Sequence, residues 1–185
     1  DVCSSDLRQE NEERLSDMDQ SYLKDDLIIS QVGLPSFQSA TDAERIARAV
    51  RTTLSLPLTV DEIGTVRKIG KPPTSGNDRR PFLFSLPNAS KRKAIFEACK
   101  RVKPNFHVNE SLTPYRRHIF KTLLDLRKAD RSRIPVLFTK GGVIHAAPST
   151  ARGNMHFIRT KSQMNNFIST LQSFGCPGTP IAEGS

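Results

Sequence analysis

Apolar residues recur along this chain in two rhythms, and the switch between them marks the elements. Asp26-Leu-Ile-Ile-Ser30 is a short apolar run, closed by Gly33 and Pro35, and reads as a strand. From Ala43 the period lengthens: Ala43, Ile46, Ala47, Val50 and Leu54 fall on one helical face, behind a Thr41–Glu44 capping box. Pro57 ends that helix. Residues 63–69 read as a second strand, the polar Pro-rich stretch 71–78 as a loop, and 82–86 as a third strand. Asn88 caps a second helix whose apolar stripe is Ala94, Ile95, Ala98, Cys99 and Val102, and residues 106–109 give a fourth strand.

A second series follows. Thr113-Pro114 is a cap with proline at the first helical position, and Tyr115, Ile119, Phe120, Leu123, Leu124 and Leu126 line one side of the helix behind it. Residues 136–139 and 143–146 form a hairpin around Gly141-Gly142, and 155–158 a third short strand. Thr160 and Gln163 make another capping box, ahead of an inward stripe of Met164, Phe167, Ile168 and Leu171. Residues 175–185 are a disordered tail by composition. Upstream, 8–24 is polar with Leu15, Met18 and Tyr22 at three- and four-residue spacing, a coiled-coil stub.

The fold class is therefore α+β. Residues 25–110 form an RRM-like β-α-β-β-α-β sandwich, the order on which RNA-recognition domains are built, and 111–174 a small α-β-β-β-α domain. Alternation along the strands assigns Phe82, Phe84, Leu86, Leu27 and Ile29 to the core. Ile28, Ser30, Leu83 and Ser85 take the other side, so this sheet face lacks the aromatics that stack bases in a standard RNA-recognition domain.

Charge sharpens the picture. The 185 residues carry net +9, but residues 63–160 hold 21 Lys or Arg against five acids, whereas the first thirty hold three against nine. A basic body with an acidic head is the electrostatic footprint of a polyanion binder. The apolar fraction, 36 %, suffices for a modest core, and no apolar run approaches a membrane span. Cys3, Cys99 and Cys176 are too far apart for a zinc motif and odd in number, which points to a reducing compartment. The first seven residues resemble the in-frame translation of a sequencing-library adapter and are expected to be foreign to the natural protein, whose true start is missing; a genomic read encoding them would overturn this.

No catalytic, cofactor or metal site emerges. Ser111, His118 and Asp125 can be named as a triad, but nothing in their spacing puts a nucleophile against a base. The four histidines lack metal-ligand spacing, and Gly64, Gly70, Gly141 and Gly142 suit turns rather than a phosphate cradle. The candidate binding residues are basic: Arg67, Lys68 and Lys71 around the end of the second strand, Arg79 and Arg80 before the third, and Arg116, Arg117 and Lys121 in the helix after Thr113. Arginine suits a phosphate backbone because its planar fork grips phosphate bidentately and stacks on bases. Neither Arg116 nor Arg117 belongs to the apolar stripe, so replacing both is expected to leave folding nearly intact.

Four blocks carry a resemblance: Asp26-Leu-Ile-Ile-Ser30, Val66-Arg-Lys-Ile-Gly-Lys-Pro72, Arg80-Pro-Phe-Leu-Phe84 and Val108-Asn-Glu-Ser-Leu-Thr-Pro-Tyr-Arg-Arg117. In this order they resemble the RNA-binding protein of the first open reading frame of LINE-type (non-LTR) retrotransposons and its transposase-22-like relatives, over roughly residues 15–173. The resemblance implies a trimerising coiled coil, an RNA-recognition domain, and a C-terminal domain that closes on the RNA. It implies single-stranded RNA binding and nucleic-acid chaperone activity in a cytoplasmic ribonucleoprotein, with the nucleus as a second compartment. Its basic positions map to Arg79, Arg80, Arg116 and Arg117, and to Arg67 and Lys71. Two departures stand out: the coiled coil is nearly absent, which leaves trimerisation to a longer N-terminal segment, and relatives often have a basic residue where Ser85 stands. The expected function is a backbone-holding basic cleft between two small domains. Its rivals are a protein-interaction or homo-oligomerisation module and a host-adopted DNA-binding relative.

Overall fold

The computed structural model describes residues 2–31, 34, 40–74, 78–148 and 154–173. Gly33, Pro35 and the tail from 175 onward lie outside these residues. The protein is α+β, with five α-helices and two antiparallel sheets among the described residues. It divides into two compact units, Gln20–Ser111 and a second that joins Asp1–Asp19 to Leu112–Ser185.

In the first unit β1 (Asp26–Ile29), β2 (Val66–Lys68), β3 (Phe82–Ser85) and β4 (Val108–Glu110) form one sheet in the order β2-β3-β1-β4, every pair antiparallel. Helix α2 (Asp42–Leu54) lies between β1 and β2 in sequence, and α3 (Ala89–Val102) between β3 and β4. The Thr41–Glu44 capping box forms as the sequence predicts, and Asn88 caps α3 by accepting from the Lys91 amide at 3.1 Å. Ser55 closes α2 in the left-handed region, two residues ahead of Pro57.

The inward rows of the sheet, Leu27 and Ile29 with Phe82, Phe84 and Leu86, pack on Ile46, Ala47, Val50, Leu54, Ile95 and Ala98. Both phenylalanines are fully buried, as strand alternation requires. Val102 is a correction. It sits in the last turn of α3 and is 43 % exposed, while Phe96 packs against the core in its place. The apolar period outlasts the surface it has to cover. Strand β2 covers only the middle of the expected 63–69, although backbone bonds from Gly64 and Ile69 carry the pairing with the β3 side beyond it, and β4 begins two residues later than the expected 106–109 and ends at Glu110.

In the second unit α4 (Pro114–Ala129) and α5 (Lys161–Ser173) pack on a three-stranded sheet of β5 (Val136–Lys140), β6 (Val143–Ala147) and β7 (His156–Ile158), in sequence order. Gly141 and Gly142 make the two-residue β5–β6 turn with φ of 60° and 73°, a left-handed pair that a β-carbon disfavours. Ile119, Leu123, Ile134, Ile144, Ile158 and Phe167 form the centre of this core.

Helix α1 (Val2–Tyr22) carries its apolar residues outward. Leu15, Met18 and Tyr22, the seam of the expected coiled-coil stub, are 60 %, 61 % and 79 % exposed, whereas Ser16 and Gln20 are buried. Within the second unit its contacts are polar: Ser16 Oγ meets Thr113 Oγ1 at 2.9 Å, Tyr115 donates to Glu13, and Asp17 pairs with Arg116.

Candidate nucleic-acid interface

The register of the first sheet divides Arg67 from Lys68. Arg67 pairs with Leu83 on the outward side, in a row that continues through Ile28 to Asn109. That row is aliphatic and polar with no ring in it, and Leu83, expected on the side away from the core, is buried there at 6 % exposure. Lys68 pairs with Phe82 on the core side, and its ammonium lies 5.9 Å over the Phe82 ring. Just above Arg67, Asp26 has its pKa raised by desolvation, against the opposing pull of Arg67.

Arg80 and Lys68 share one carboxylate. Arg80 grips Asp78 through Nε at 3.0 Å and Nη2 at 2.8 Å, and Lys68 reaches the same group at 3.2 Å. The third edge of the Arg80 fork donates to the Gly70 carbonyl. These bonds, Arg80 first, hold the Asp78 carboxyl well below the usual carboxylate range. Arg80 is thus a clip that ties residues 70 and 78 together, and the cluster presents one net positive charge rather than two. Lys71 and Arg79, in the same loop, are exposed and form no ion pair among the described residues.

Helix α3 tells a similar story. Lys91 pairs with Glu62, Arg92 with Asp25 at 2.8 Å and Lys93 with Glu97 at 3.8 Å. Of the six basic residues between 91 and 103 (Lys91, Arg92, Lys93, Lys100, Arg101 and Lys103), these three are matched by acids distant or near in sequence.

In the second unit the neighbours Arg116 and Arg117 part ways. Arg117 is exposed, with one donor on the Leu112 carbonyl at 3.1 Å. Arg116 is only 4 % exposed, which corrects the expectation of two surface guanidinium groups at the start of α4. It donates to the Gly142 carbonyl at 2.9 Å and pairs with Asp17, so it ties the β5–β6 turn, α4 and α1 together. Burial pushes its pKa down, and the Asp17 charge opposes that. Lys121 is well exposed and forms an i,i+4 pair with Asp125 at 2.6 Å, a kind of pair that water largely screens. A phosphate can displace it.

Of the eight predicted residues, Arg67, Lys71, Arg79, Arg117 and Lys121 therefore present their charge to solvent, whereas Lys68, Arg80 and Arg116 are used within the fold. No group of His, Cys, Asp or Glu among the described residues is arranged to hold a metal ion, and Cys99 is a free, half-buried thiol whose pKa burial raises. No helix among the described residues is long and apolar enough to cross a membrane.

Sequence reasoning passed over one set of residues. Phe138, His145 and Phe157 lie side by side on the open face of the second sheet. Alternation could have found His145, since Ile144 and Ala146 flank it as inward residues. The two phenylalanines were hidden inside the runs Val136-Leu-Phe138 and His156-Phe-Ile158, where every position is apolar or aromatic and the phase is unreadable. No family model matches the chain, and no curated protein matches it.

Proposed function

We propose that the protein binds single-stranded RNA with little sequence preference, holding the phosphate backbone through exposed cations on both units. The observation that carries this is the β2–β3 segment, where Arg67, Lys71 and Arg79 stand exposed with no ion pair among the described residues. A charge left in water and outside any ion pair is inexpensive to bring to a phosphate, because no such pair has to break. Arg117 and Lys121 extend the basic surface on the second unit. The β2-β3-β1-β4 order supports the RNA-recognition-like reading of residues 25–110, and the resemblance to the retrotransposon RNA-binding proteins agrees with it. The reading assigns no catalytic role and no cofactor; the protein coats and remodels its ligand.

Phosphate contacts release counterions, so affinity falls with salt. Six to ten contacts on a single strand imply a log–log slope of roughly −4 to −7, from about −0.7 per contact. Filter binding of an unstructured RNA at several salt concentrations measures it, and a flat response would rule the reading out. Running single-stranded DNA and duplex beside the RNA decides between this and the DNA-binding relative.

The oligomerisation reading has its own observation, the outward seam of Leu15, Met18 and Tyr22 on α1. Extended by further heptads, that face would meet other copies in the trimer the resemblance implies. Sedimentation equilibrium of this chain and of a Leu15→Glu/Met18→Glu variant tests it: identical masses would remove α1 from any self-association.

A further inference from the structure

The three-stranded sheet buries one face, through Leu137, Ile144, Ala146 and Ile158, and leaves the other open. On the open face the register sets Phe138 beside His145 and His145 beside Phe157, one ring from each strand. Phe138 and His145 stack with centroids 4.7 Å apart and planes 14° from parallel. Phe157 meets His145 edge-on at 5.0 Å. Phe157 is 61 % exposed and Phe138 38 %, so the outer two rings keep π-surface in water. Cations flank the row: Lys140 lies two residues beyond Phe138 on the same side of β5, Arg159 follows β7 directly, and both are exposed. Rings that accept the flat faces of bases, edged by cations that accept phosphates, have the chemistry of a single-stranded nucleic-acid platform.

We infer that Phe138, His145 and Phe157 form a base-stacking platform for two successive nucleotides of a single strand, with Lys140 and Arg159 beside it for their phosphates. The inference rests on the RNA-binding reading and adds to it a component independent of counterion release. It also separates the work between the units. The outward row of the first sheet, Arg67, Leu83, Ile28 and Asn109, can offer charge and hydrogen bonds but no ring, and the second sheet supplies the rings. Because every base has a π-face, such a platform tolerates any sequence.

The test is fluorescence anisotropy on a labelled oligouridine strand and on an abasic strand of equal length, with the parent, Phe157→Ser and Phe157→Leu. The parent should bind the base-bearing strand more tightly than the abasic one by roughly 5- to 150-fold per stacked base. Both variants should lose the share of that difference that one stacked base supplies, roughly 5- to 150-fold, while their salt slopes stay at the parent's value, and all three proteins should bind the abasic strand alike. Phe157→Leu keeps apolar bulk without a π-face, and the parent's preference for bases is read without any variant, so a misfolded Phe157→Ser leaves the test intact. A parent that binds both strands equally, with its salt dependence unchanged, overturns the platform and leaves the RNA-binding reading standing. A parent that binds neither overturns both. Unchanged RNA affinity in Phe157→Leu, together with a lower mass in sedimentation, makes the row a contact between copies of this chain and overturns the platform as well.

Discussion

Arg116 and Arg117 are adjacent, identical in chemistry and opposite in role, and their difference is measurable. Removing Arg116 deletes its buried hydrogen bond to the Gly142 carbonyl and breaks the link to Asp17. Asp17 is 59 % exposed and rehydrates, so the expected cost is that of a lost buried hydrogen bond to a charged group, about 1–3 kcal/mol. Arg116→Ala should accordingly lower the urea midpoint clearly, while Arg117→Ala stays within about 0.5 kcal/mol of the parent and weakens RNA binding instead. Chemical denaturation of both single variants beside their RNA affinities checks the pair. Equal stability of the two would mean that Arg116 carries no structural burden. Nothing in the residue types distinguishes them: a helical period places residue 116 one step round from residue 115, and whether that step faces core or water depends on α1 and the β5–β6 turn arriving there.

At the scale of elements, two devices hold the loops that carry the basic residues. One is the Gly141-Gly142 turn, whose left-handed backbone a β-branched side chain resists by about 1–2 kcal/mol per residue. Gly141→Val should destabilise the second unit by that amount, whereas Gly141→Asn, which visits the left-handed region readily, should be nearly neutral; thermal melts of the two separate these outcomes. The other is the Asp78 clip. Its carboxyl titrates lower folded than unfolded, so its stabilising contribution is present above the ordinary carboxylate pKa and fades as pH falls below about 4. Hydrogen-exchange protection over residues 69–74 and 78–80, taken relative to the intrinsic amide rate at each pH, should fall in that acid window in the parent, and should be low at neutral pH already in Asp78→Asn. The same substitution releases Lys68 and Arg80 from their shared partner. If they then reach phosphate, the salt slope steepens by about 0.7 per added contact. An unchanged slope would place this loop outside the interface.

Across the described residues the decisive property is which charges stay outside ion pairs. The chain carries 28 basic residues, yet acids of the fold pair with Lys68, Arg80, Lys91, Arg92 and Arg116 among others. Binding should therefore respond to few of them. Replacing Arg67, Lys71 and Arg79 together by Gln should cut the magnitude of the salt slope by about 2, at about 0.7 each, with little change in the melting temperature. Replacing Lys91, Arg92 and Lys93 should do the reverse, lowering stability and leaving the slope alone. Salt titrations of the two triple variants read this directly; matching slopes would mean that total charge, not its placement, governs binding.

The amino-acid sequence determined the elements and their caps by itself, because those signals are local. Thr41 with Glu44, Asn88, Thr113-Pro114 and Thr160 with Gln163 act within one turn of chain, and the periods of 2 and 3.6 residues assign Phe82, Phe84, Ile119 and Phe167 to cores without any partner being known. Tertiary structure alone decided the fate of the charges and the phase of the continuous apolar runs. Arg116 meets Asp17 and Arg92 meets Asp25 across 99 and 67 positions of chain, and no local pattern encodes such a pairing. Phe138 and Phe157 reach the open face because the β5-β6-β7 register turns Leu137 and Ile158 inward, a choice made by the helices that cover one side of the sheet.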